Sequence, residues 1–149
     1  MTPIKKLIKL GLLCWSTIFL GLKNGWVSRQ DVIDYAVSLL MTESDDEDIA
    51  VIAAGESLSD DELFDLVSAQ SKNEDAGADL DKWRLAYLLC IAESDSSEQE
   101  KIDKLQDVYS QFDYPEDMAS CSIYAQDDID PLMAMMQVVK GLRQKFSLQ

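Results

Sequence analysis

Apolar side chains recur every three to four residues along nearly the whole chain, and no stretch alternates apolar and polar residues as a half-buried strand would. Trp15, Ile18, Phe19 and Leu22 stand at i, i+3, i+4 and i+7, one face of a helix. Val32, Ile33, Ala36, Leu39 and Leu40 continue the pattern, as do Ile102, Leu105, Tyr109 and Phe112, and then Leu132, Met135, Met136, Val139, Leu142 and Phe146. Between them, Leu80, Trp83, Tyr87 and Ile91 mark one side of a segment whose other side carries Leu85, Leu88, Leu89 and Ala92. Apolar residues on two sides predict a central helix. Stripes without pleats can be buried only helix on helix. The expected fold is therefore all-α with minimal strand: six or seven helices in a bundle or a short stack of helical hairpins. The chain's 149 residues suffice for one domain, 1–149, with a real core.

Start and stop signals divide the pattern. Asn24-Gly25 predicts a helix end, because both residues tolerate the left-handed backbone of a C-terminal cap. Ser28 opens the next helix with Asp31 at its positive end, so that residues 14–43 read as an N-terminal helical hairpin. The tetrapeptide SDDE then occurs twice, and Ser44 with Glu47, like Ser59 with Glu62, has the spacing of a capping box. In that motif the serine hydroxyl accepts from the third amide and the glutamate reaches back. Gly55 closes the first of these helices. Ser97 and Glu100 repeat the spacing, and Asp130-Pro131 is a cap followed by proline at the first helical position. Residues 71–78 (SKNEDAGA) read as a polar loop, with a helix over 79–92. Residues 113–130 form an acidic, tyrosine-bearing connection in which Pro115 disfavours a helical Tyr114.

Charge and cysteine usage exclude several functions. The chain carries 28 acidic and 13 basic residues and no histidine. Residues 1–30 contain five of the bases and no acid, so the remainder holds 28 acids against 8 bases. Such a field repels nucleic acid and anionic lipid and attracts cationic proteins. The lack of histidine removes Ser-His-Asp and Cys-His catalysis and His-ligated zinc. Cys14, Cys90 and Cys121 form no CxxC pair and no disulfide framework, and read as buried reduced thiols of a cytoplasmic protein. The basic start and the uncharged run over residues 10–22 imitate a signal peptide. However, no alanine precedes Ala36, and thirteen residues fall short of the roughly 20 needed to span a bilayer. A buried amphipathic helix is the expectation.

Ten acids and no base lie within residues 43–65. They do not read as a calcium loop, since the run Asp45-Asp46-Glu47-Asp48 meets no central glycine; nor does the stretch over residues 75–81, where Gly77 stands in a ligand's place. No phosphate-cradling or nucleophile-elbow motif is present, and no metal or cofactor is expected. Met135 and Met136 read as core, as do Trp15, Trp26 and Trp83. The segment FDYPEDM followed by CSIYAQDDIDP is different, because it sets two tyrosines and a proline among six acids. Rigid aromatics inside a negative rim are how a hot spot for a Lys/Arg-rich partner is built.

The stretch WSTIFLGLKNGWVSRQDVIDYA, together with FDYPEDM and the later Tyr124, resembles a bacterial family catalogued as domain of unknown function 2247. The resemblance implies a helical protein without assigned catalysis, similar in size and acidity to immunity proteins encoded beside polymorphic toxins. The resulting expectation is a non-enzymatic cytoplasmic protein, monomer or weak homodimer, that neutralises a basic toxin domain such as a nuclease. The residues expected to touch that partner are Asp45, Asp46, Asp48, Asp60, Asp61, Asp113, Tyr114, Glu116, Asp117, Tyr124, Asp127 and Asp128. The alternative is a structural or adaptor subunit that assembles through an apolar surface near Trp26 or the methionines, its acidity serving solubility only.

Overall fold

A computed structural model describes residues 2–42, 45–71 and 76–148, and all regular structure among them is helical. The α-helices are α1 (Pro3–Leu10), α2 (Trp15–Lys23), α3 (Arg29–Met41), α4 (Glu47–Ala53), α5 (Asp60–Gln70), α6 (Ala76–Ala92), α7 (Glu98–Gln111) and α8 (Pro131–Lys145). Two short 3-10 helices, Gly55–Ser57 and Glu116–Cys121, complete the described residues. The class is as expected, but the helices outnumber the six or seven predicted.

The N-terminus accounts for part of the excess, because the expected single amphipathic helix is two. Thr2 caps α1 by accepting from the Lys5 amide at 3.4 Å, and Pro3 occupies its first turn. Gly11, at φ +72°, ends it in the left-handed conformation with its N–H on the Ile8 carbonyl at 3.1 Å. The chain resumes helix only at Trp15. Further on, α6 begins at Ala76, earlier than the expected residue 79, because Ala76-Gly77-Ala78 continue the helix. Ser44 lies outside the described residues, and Asp46 is the cap of α4, accepting from the Asp48 and Ile49 amides at 2.8 and 3.4 Å.

Contacts group the chain into two compact units, residues 13–79 and residues 1–12 with 80–149. In the first, α3 packs on α4 and α2 on α5. Ile18, Val32, Ala36, Ile52 and Val67 are fully buried there. Aromatic edges add to this core, with Trp15 against Tyr35 at 4.9 Å and Phe19 against Phe64 at 5.0 Å between ring centres. Thr17 donates to the buried Asp79 carboxyl group at 2.7 Å, one of the hydrogen bonds that a buried polar group requires. The Arg29 guanidinium fastens the turn between α4 and α5, donating to the Gly55 carbonyl at 2.7 Å and to that of Leu58.

In the second unit, Leu7, Trp83, Leu85, Leu88, Leu105, Met118 and Met135 have essentially no exposure. The second 3-10 helix packs on both α7 and α8. Buried Lys6 of α1 pairs with Glu93 at the end of α6, and its hydrogen bond holds that carboxyl below the usual range. Two sequence expectations fail here. Met136 is exposed rather than core, and so is Leu80. Each lies at the margin of its helix stripe, where periodicity cannot tell a buried edge from a wet one.

Candidate functional site

The acids around the two SDDE segments are largely spent on structure. Asp45, Asp46, Asp48, Asp60 and Asp61 are all exposed and all belong to the unit of residues 13–79. Asp46 caps α4, and Asp60 pairs with Arg29 at 2.9 Å. Ser59 and Glu62 form the full reciprocal capping box at the start of α5. Asp48 and Asp61 occupy first turns, where a carboxylate gains roughly 0.3–1 kcal/mol from the helix dipole.

The other seven predicted residues share one segment of the second unit, and that segment is built rather than slack. Helix α7 ends on Phe112, and both Asp113 (φ 59°) and Tyr114 (φ 53°) are left-handed. Two consecutive non-glycine residues in this region cost of order 1–2 kcal/mol each. The Tyr114 amide donates back to the Tyr109 carbonyl at 2.9 Å, and its ring stands edge-on to Tyr109 at 5.1 Å. Pro115 then fixes the entry to the 3-10 helix, whose Met118 and Cys121 are buried. Gln106 of α7 splints the exit: its amide donates to the Cys121 carbonyl at 2.9 Å and its oxygen accepts from the Ile123 N–H at 3.2 Å. Ser120 closes the following loop by donating to Asp127 at 2.6 Å.

Asp117 is exposed as well, but it is held by an internal partner. Its carboxylate accepts from Arg84 at 2.6 Å, while the second arm of the buried Arg84 fork donates to Asp81 at 2.9 Å and Lys145 of α8 meets Asp81 from the other side. Burial raises the Asp81 pKa, but hydrogen bonds from Lys145 and Arg84 and their charges outweigh it, leaving the carboxyl below its ordinary value. Burial likewise depresses Arg84, and its two carboxylate partners restore it to above the usual value. The chain Asp117–Arg84–Asp81–Lys145 thus ties the 3-10 helix and α8 to α6. It lies along a cleft of about 430 Å³ whose wall includes Ser120, Gln137 and Gly141. Arg84 and Gln106 were not among the sequence candidates. A lone arginine in an apolar helix, three positions after Asp81, was the only hint.

What remains outward is Asp113, Tyr114, Glu116, Tyr124, Asp127 and Asp128, all exposed, with Tyr124 at 86%. Asp113, Glu116 and Asp128 have no ion-pair partner among the described residues. Beyond them Met133 (62% exposed) and Met136 (47%) lie one turn apart on α8. Of the cysteines only Cys121 is buried, where burial first and then the Asp117 charge push its thiol up to about 11. Cys14 and Cys90 are half-buried rather than buried as expected. Burial also raises the Cys90 thiol, which lines a hollow of about 500 Å³ with Tyr87 and Val108. A protonated thiol is a poor nucleophile. Among the described residues no three Cys, Asp or Glu side chains are placed to hold a metal ion, and no helix is long and apolar enough to cross a membrane.

Helices that carry an exposed, pre-shaped aromatic and acidic segment define a protein whose candidate site is a surface. The chain belongs to the family of domain of unknown function 2247, an uncharacterized protein conserved in bacteria, whose family model matches residues 4–145. No curated protein and no solved structure matches it.

Proposed function

We propose that this chain is a non-enzymatic binding protein of the immunity type, acting in the cytoplasm to cover the active surface of a basic toxin domain. The observation that carries this reading is the segment 113–130. It holds Tyr124 almost wholly in solvent, on a backbone fixed by Arg84, Gln106 and Pro115, beside Asp113, Glu116 and Asp128, which have no ion-pair partner among the described residues. An anchor already ordered in the free protein loses little entropy on binding, and unneutralised acids steer a cation toward it. A nuclease site shaped for phosphate is a natural target for such a surface.

The test is co-expression and stopped-flow association with the basic C-terminal domain of a toxin-like protein encoded beside this one. Association is expected to slow by at least about tenfold between low and high salt, because the screening length falls from roughly 30 Å to 3 Å between 0.01 and 1 M. Equal on-rates across that range would sink electrostatic capture. Exposure of Met133 and Met136 favours a second reading, an adaptor that assembles through an apolar face. Light scattering separates the two, since a stable oligomer without any basic protein present supports the adaptor.

A further inference from the structure

On the reading that the partner is a basic protein, we infer that it docks along the outer face of α8, and that its contact surface is an apolar stripe bordered by Lys or Arg at one end only. Ile129 (41% exposed), just before the cap of α8, is followed by Met133 and Met136 at successive turns, and all three are exposed. The opposite face of the same helix is buried through Met135, Val138 and Leu142. The stripe therefore spans about 10 Å, and each of its three residues keeps a large part of its surface in solvent among the described residues. Methionine suits such a face, because its unbranched thioether adapts to the shape it meets. The loop that bears Tyr124 is tied back by the Ser120–Asp127 hydrogen bond to the 3-10 helix, which packs on α8.

Charge decides the occupant. Asp127 and Asp128 stand at the start of the stripe, and Lys140 follows one turn past Met136. A second copy of this chain would bring together two molecules of formal charge −15, which repel each other. An anionic lipid surface is repelled for the same reason. A cationic polypeptide with an apolar stripe satisfies both parts of the face. Its cations belong beside Asp127 and Asp128, because Lys140 repels them from the other end, and this fixes its direction.

The test uses isothermal titration of the full chain with a synthetic amphipathic Leu/Lys peptide of about 18 residues, long enough to be helical, and with a scrambled peptide of the same composition. The amphipathic peptide is expected to bind about tenfold tighter than the scramble, and the double substitution Met133→Ser with Met136→Ser to remove that advantage. Both positions are exposed, so circular dichroism and the melting midpoint should stay unchanged. Lys140→Glu is expected to tighten the amphipathic peptide several-fold, a gain that damage to the fold could not produce. Equal binding of both peptides, unmoved by the methionine changes, overturns the docking face while leaving the basic-partner reading standing. No binding of either peptide at low salt overturns both. Dimerisation abolished by the methionine changes would assign the face to a second copy and overturn the occupant.

Discussion

At the scale of single residues, Asp81 is the hinge of the second unit's polar chemistry. It answers Arg84 from its own helix and Lys145 from α8, and its depressed pKa makes the fold sensitive to acid. The native carboxyl releases its proton more readily than the unfolded one, whose ordinary value is 3.8. The stabilisation is therefore complete above that value and fades as pH falls from it through the lower native one. Urea midpoints of the native chain and Asp81→Asn should differ most near neutrality and converge below about pH 4. A gap that persists in acid would mean that Asp81 acts by shape alone. None of this was legible in the sequence, where Asp81 is one of 28 acids and its partners are 3 and 64 positions away. The exposure of Tyr114 and Tyr124 was legible, because both stand in an acidic connection outside the apolar helix stripes.

At the scale of elements, the caps are what the sequence announces most clearly. Ser28–Asp31 and Ser59–Glu62 are reciprocal boxes, Ser97 accepts from the Glu100 amide, and Asp130-Pro131 opens α8. These are local chemistry, settled within four residues of chain, so no distant contact can obscure them. Ser59→Ala should cost about 1 kcal/mol, read as a lower urea midpoint, with faster amide exchange confined to the first turn of α5. A uniform rise in exchange across α5 would show that the serine holds more than its own cap. Where burial decides the outcome, sequence reading slips. The apolar run over residues 10–22 hides the break at Gly11, and small residues taken for a loop extend α6 to Ala76. The segment EDMASC gave no sign of a 3-10 helix, because its order comes from Arg84 and Gln106, far away in sequence.

At the scale of the whole molecule, a formal charge of −15 sets stability against recognition. Like charges crowd on folding, and added salt screens them. The melting midpoint should rise by a few degrees between roughly 0.01 and 0.15 M salt, the same change that slows capture of a cationic partner. A midpoint that falls would mean the internal ion pairs outweigh the general repulsion. The division of the chain has a further bearing on how it is made. Residues 13–79 leave the ribosome as one unbroken stretch and complete their own unit, with Thr17 near one end answering Asp79 at the other. Helix α1 is synthesised before residues 13–79 yet belongs with the unit that follows them, so the buried Lys6 has no Glu93 to meet until that whole stretch has been made. A helix made ahead of one unit thus has to wait for its partners in the other.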